Sequence, residues 1–100
     1  MIRGTTPTHI FNLPIETRLI SEIRVTYAQD DNILLTKTKS QCEIQEKAVI
    51  IKLTQEETFK FNCKKPVQIE VRALLENGVA LKSPIKLMDV GKCLDNEVMQ

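Results

Sequence analysis

The side chains able to carry chemistry are few and widely spaced. His9 is the only histidine. It could act as a metal ligand or a titrating switch. No cysteine or carboxylate stands at coordinating spacing, however, so it reads as a packed or surface residue on a face shared with Phe11. Cys42, Cys63 and Cys93 lie 21 and 30 residues apart, with no C-x-x-C pair. An odd number of thiols without a base or an oxyanion hole reads as free cysteines in a reducing compartment. Cys42 and Cys63 then serve as small apolar residues. Asp30, Asp31 and Asn32 offer three adjacent oxygens, not the alternate spacing of a calcium loop, and are ordinary turn residues. Glu56 and Glu57 point apart on a turn, which disfavours an acid–base pair. Lys64 and Lys65 read as a solvated loop pair. Gly4, Gly78 and Gly91 are isolated, so no phosphate-cradling loop is formed. No catalytic residue, metal ligand or cofactor is expected.

The composition narrows the partners. Fourteen basic and thirteen acidic side chains leave a net charge of +1, and they are interspersed. A nucleic-acid binder usually carries a basic stripe, so nucleic acid is not an expected partner. No apolar run approaches the ~20 residues of a membrane span and no leader-like apolar segment opens the chain, so no membrane partner and a cytoplasmic origin are expected. One hundred residues suit one domain that buries roughly two-thirds of its unfolded surface. With four aromatic residues and no Trp, its core must be built from Ile, Leu and Val, and the β-branched members favour strands.

The elements that position these residues follow from alternation. Residues 8–13 place His9, Phe11 and Leu13 on one face. A helical turn at about 15–19 leads into a strand at about 21–29, with Ile23, Val25 and Tyr27 together. Residues 30–32 turn the chain into a strand at 33–39, which completes a hairpin. A short strand at 42–45 precedes Val49, Ile51 and Leu53 on one face of the next. Thr54-Gln-Glu-Glu57 matches a capping box and predicts one helical turn over 54–58. Phe59 and Phe61 follow at strand spacing. Val67, Ile69, Val71 and Ala73 alternate with polar residues in the clearest half-buried strand. Asn77-Gly78 predicts a two-residue type I′ loop with Glu76 across from Val79. That register sets Leu74 across from Leu81 as an apolar pair on the outer face. A bulge near Ser83-Pro84 is expected to return Ile85 and Leu87 to the core. The last strand is expected over about 85–90. The reading is an all-β, immunoglobulin-like antiparallel sandwich of about seven strands with one or two short helical turns. Residues 1–6 form an N-terminal arm, 7–90 the domain and 91–100 a polar tail.

Three stretches resemble a known group. The opening IRGTTPTHIFNLP with IRVTYAQ, the segment LTQEETFKF, and the hairpin VQIEVRALLENGVALKSP resemble small prophage-encoded tail-region proteins of Gram-positive bacteria. More loosely, they resemble the N-terminal domain of phage baseplate upper proteins. The resemblance covers about residues 2–90, and this chain, unlike the longer baseplate proteins, stops after one domain. It implies an immunoglobulin-like sandwich that serves as a non-enzymatic building block of a virion tail or baseplate. It implies other tail or baseplate proteins as partners, with a homo-oligomer as one form of assembly, and transfer from the bacterial cytoplasm into a virion. Leu74, Leu81, Ile2 and Arg3 are the candidate protein contacts, the last two on an arm that orders on binding. The alternative is a module that binds carbohydrate or a host protein. Sugar sites favour exposed aromatic platforms, and Tyr27 is the one aromatic residue free to supply one.

Overall fold

The computed structural model of the chain describes residues 1–100. Eight strands form: β1 Thr8–Asn12, β2 Ile20–Gln29, β3 Asn32–Thr38, β4 Glu43–Gln45, β5 Ala48–Lys52, β6 Val67–Leu75, β7 Ala80–Lys82 and β8 Lys86–Met88. One sheet has the order β1-β5-β4. The other has the order β3-β2-β6, with both β7 and β8 on the far side of β6. All of these strand pairs are antiparallel. In immunoglobulin-like terms the two sheets correspond to strands B-E-D and C′-C-F-G. The expected all-β sandwich is therefore the fold. Its strand count is eight because the last segment is split around Ser83–Ile85.

The core is built from the alternate faces of three strands and two residues outside them. Ile23, Val25 and Tyr27 of β2, Val49 and Ile51 of β5, and Val67 and Ile69 of β6 are buried, as are Leu53 and Phe61. Period-two alternation alone marks the strand residues. The expected helical turn near 15–19 is a 3-10 turn at Thr17–Leu19. The capping box forms the short helix α1, Gln55–Thr58, with Thr54 Oγ1 accepting the Glu57 N–H and the Glu57 carboxylate accepting the Thr54 N–H. Phe59 and Phe61 do not continue into a strand. They lie on the turn that leaves α1, held by bonds from Lys60 N–H to Glu57 and from Phe61 N–H to Thr58.

Two hairpins depart from simple register, and these departures decide which side chains meet. Asp30 and Asp31 both take positive φ, 48° and 62°, so this pair forms the two-residue primed loop. Gln68 of β6 clamps it by accepting the Asp31 N–H at 2.8 Å and donating to the Asp31 carboxylate at 2.9 Å. Two residues further on, Leu34 bulges. Ala28 faces Ile33, but Tyr27 faces Leu35 and Val25 faces Lys37. The bulge turns Lys37 to the inner side of the sheet.

At Asn77-Gly78 the expected type I′ loop is corrected. Of the pair only Gly78 has positive φ, 88°. Asn77 does not take positive φ, and its Oδ1 accepts the Val79 N–H at 3.0 Å. Gly78 N–H donates to Leu75 and Leu75 N–H to Val79, which makes a three-residue loop closed by a glycine bulge. Leu74 therefore faces Ala80, and Leu81 faces Ala73. An extra residue is indeed inserted near Ser83-Pro84, since Val71 accepts from Ser83 while Ile69 faces Lys86. It cancels the shift made by the loop. Ile85 and Leu87 stay outward, 51% and 67% exposed.

Candidate functional site

Five titratable side chains, His9, Tyr27, Lys37, Cys42 and Glu57, converge on one place inside the sandwich. Tyr27 is fully buried, and its hydroxyl lies 2.7 Å from His9 Nδ1. Its ring packs at 5.7 Å from the His9 ring and 5.9 Å from Phe61. Tyr27 is thus a core residue, not the exposed platform that a sugar site would want. Lys37 and Glu57 form an ion pair at 2.5 Å, with side chains only 13% and 15% exposed. Cys42 adjoins this group and its thiol is directed at the Thr38 carbonyl at 3.1 Å.

Burial governs the titration of these groups. It pushes the Tyr27 phenol up, with help from the negative forms of Cys42 and Glu57. It raises the Cys42 thiol, partly offset by the Lys37 ammonium. It holds the His9 imidazole below its ordinary value, with a smaller push from the N-terminal ammonium. Burial also acts to raise Glu57, but the Lys37 ammonium and the Thr54 donors outweigh it, and the carboxyl falls below its ordinary value. Each group's charge or proton is thereby spent on a neighbour. The cluster ties β1, β2, β3 and α1 together.

Stability should therefore peak near neutral pH. A lowered His9 resists protonation while the unfolded chain takes up a proton, so stability falls as pH drops through about 6.5, and Glu57 deepens the loss below about 4.5. The raised Cys42 acts in the opposite direction, since the unfolded thiol ionises first and stability is lost above about pH 9. Thermal melts from pH 4 to 10 test this. An unchanged Tm between pH 7.5 and 5.5 would contradict the desolvation of His9.

The predicted contact residues are placed as follows. Leu74 lies on the outer face beside Ala80. Leu81 points the other way, on the side of Val71 and Ala73. The expected outer-face pair is therefore not formed, because the three-residue loop moves Leu81 by one position. Both are 40% exposed. Leu81 lines the mouth of a cleft of about 300 Å³ between β1 and the β7–β8 edge, together with Phe11, Leu13, Ile15, Val71 and Pro84. Val79, Ile85 and Leu87 are also exposed in this segment, from 47% to 67%, and Leu87, across from Gln68, lies on the face opposite to Leu81. The sequence reading assigned Ile85 and Leu87 to the core and so missed them as surface.

Ile2 and Arg3 do not sit on a loose arm. Ile2 forms a parallel bridge to Gly91, the terminal ammonium donates to the Asp89 carbonyl at 3.0 Å, and Arg3 N–H donates to Gly91 at 3.1 Å. The Arg3 guanidinium spans the Phe59 carbonyl and Asn96 Oδ1 and lies 5.4 Å over the Phe59 ring. The tail is docked as well: the Gln55 amide exchanges both of its bonds with the Met99 backbone. Ile2 remains 52% exposed, whereas Arg3 is half-buried. Backbone pairing between two chain ends leaves no periodic signal in the sequence.

The three thiols are free, and no helix is long and apolar enough to cross a membrane. No protein family, characterised protein or solved structure matches the chain. The class that the fold defines is an all-β antiparallel sandwich.

Proposed function

We propose that this chain is a non-enzymatic structural or assembly component of a phage-like tail or baseplate, working through protein–protein contacts. The observation that carries the reading is the apolar exposure along the β7–β8 edge, where Val79, Leu81, Ile85 and Leu87 stay 40–67% exposed within nine residues of chain, on the two faces of the sheet. Apolar side chains exposed along one sheet edge offer contact surface to a partner protein. The five clustered titratable side chains, by contrast, are engaged with one another inside the sandwich. The resemblance of the opening, capped turn and hairpin to prophage tail-region proteins supplies the particle.

Co-purification with the tail-region proteins encoded beside this chain tests the reading. Leu81→Asp and Leu87→Asp should each weaken capture by about tenfold or more, the effect of removing a central apolar contact. Retention of full affinity in both variants, or failure of every neighbouring tail protein to bind, would sink the proposal. Leu87→Asp gives the cleaner result, because its side chain is the more exposed of the two.

A further inference from the structure

The four sheet edges are not alike. β3 is bulged at Leu34 and carries Lys37. β4 is three residues long and begins with Glu43. β7 and β8 are three residues each, are separated by a segment containing Pro84, and carry Lys82 and Lys86. Bulges, charge, proline and shortness are the devices that keep an edge from pairing with another chain. β1 has none of them. Its sequence is Thr-His-Ile-Phe-Asn, uncharged at neutral pH and unbroken, with Thr8, Ile10 and Asn12 exposed.

The ladder shows which backbone groups are free. Leu13 N–H donates to Lys47, and Leu53 N–H donates to Pro7. The odd-numbered residues of β1 therefore turn their backbone to β5, and Thr8, Ile10 and Asn12 turn theirs outward. None of these outward groups has a backbone or side-chain partner within the chain.

We infer that a second copy of this chain docks antiparallel along β1, about a twofold axis at Ile10. This deepens the assembly reading above and rests on it. The register is self-complementary, as a twofold interface requires. Ile10 lies across from the second copy's Ile10, and Thr8 across from its Asn12. All three pairs are of the type that exchanges both backbone bonds. Within one copy Ile10 already faces Ile50 on β5, so the seam becomes a row of four isoleucines on the outer face of a six-stranded sheet. Charge permits the approach: Lys52, next to Thr8 on β5, meets Asn12 and Ala48 in the corresponding row of the second copy, so no like charges face each other. A five-residue strand pair alone falls below the roughly 1,200 Å² of a permanent interface. The association is accordingly concentration-dependent, and the apolar cleft beside β1 adds surface to it.

The test is sedimentation velocity over a concentration series, with amide exchange on the same samples. The wild-type chain should pass from monomer to a discrete dimer. Exchange at Thr8, Ile10 and Asn12 should slow by about tenfold as the dimer forms. Ile10→Pro removes only an outward N–H, so it should abolish the dimer while circular dichroism and Tm stay near wild type. Ile10→Lys should do the same through charge repulsion and covers the case in which the proline variant fails to fold. Ile33→Lys, at a residue 68% exposed on β3, should leave the dimer intact. A monomer at every concentration, or a dimer that survives both Ile10 variants, would overturn the inference. Either result would leave the tail-assembly reading to be judged separately by capture of the neighbouring tail proteins.

Discussion

Lys37→Met should destabilise the fold by roughly 3 kcal/mol, seen as a drop in the urea midpoint with no change in slope. The methionine keeps most of the lysine's volume but leaves the Glu57 carboxylate without its cation. That carboxylate is 15% exposed and the Lys37 side chain 13%, so solvent cannot fully replace the lost partner. Removal of one member of a buried pair costs more than the pair is worth, because an uncompensated charge stays behind. The companion variant makes the argument sharper. Glu57→Gln added to Lys37→Met removes the orphaned charge and keeps an oxygen that can accept the Thr54 N–H. More than half of the lost stability should return. A single variant that costs under about 0.5 kcal/mol would mean that the pair behaves as a surface ion pair.

Gly4→Ala should cost about 2 kcal/mol and should loosen the chain ends together. Gly4 has φ +78°, a conformation that L side chains rarely adopt, and a Cβ there would lie 2.6 Å from the tip of the Phe59 ring. Left-handed strain is of order 1–2 kcal/mol, and displacement of the ring adds to it. Phe59 cannot move freely, because the Arg3 guanidinium lies over its ring and bonds to its carbonyl. The Gly4 N–H also donates to Thr58 Oγ1 at 2.9 Å, and that hydroxyl is directed at the Thr5 carbonyl at 3.0 Å. Faster amide exchange at Arg3 and Gly91, with the strand core unaffected, is the expected signature. Equal acceleration throughout would mean that the ends unfold only with the whole domain.

The two variants probe contacts that differ in how far sequence reasoning could reach them. The capping box of Thr54 and Glu57 was legible, because it depends on two residue types three positions apart. Its ion pair with Lys37 was not. A two-residue loop at Asp30-Asp31 and straight pairing would set Lys37 across from Arg24, on the outer face. The Leu34 bulge sets it across from Val25, and nothing local in Ile-Leu-Leu-Thr marks where the extra residue falls. The hairpin at Asn77-Gly78 makes the same point in reverse. The dipeptide announces a turn, but the choice between a two-residue and a three-residue loop moves Leu81 from one face to the other. The candidate site was thus legible as residue identities, since Leu74 and Leu81 are exposed, but not as a surface.

Taken by itself, the sequence determined the all-β class, the two-sheet sandwich, the position of most strands and most of the core. Those properties depend on alternation and on turn and cap chemistry, which act over a few residues. The tertiary structure alone decided the strand registers, the convergence of His9, Tyr27, Cys42, Lys37 and Glu57, the anchoring of both chain ends and the isolation of β1 as the one unprotected edge. Those properties depend on single-residue shifts and on long-range pairing. A one-residue shift reverses every side chain beyond it, while the local pattern that a sequence displays is left unchanged.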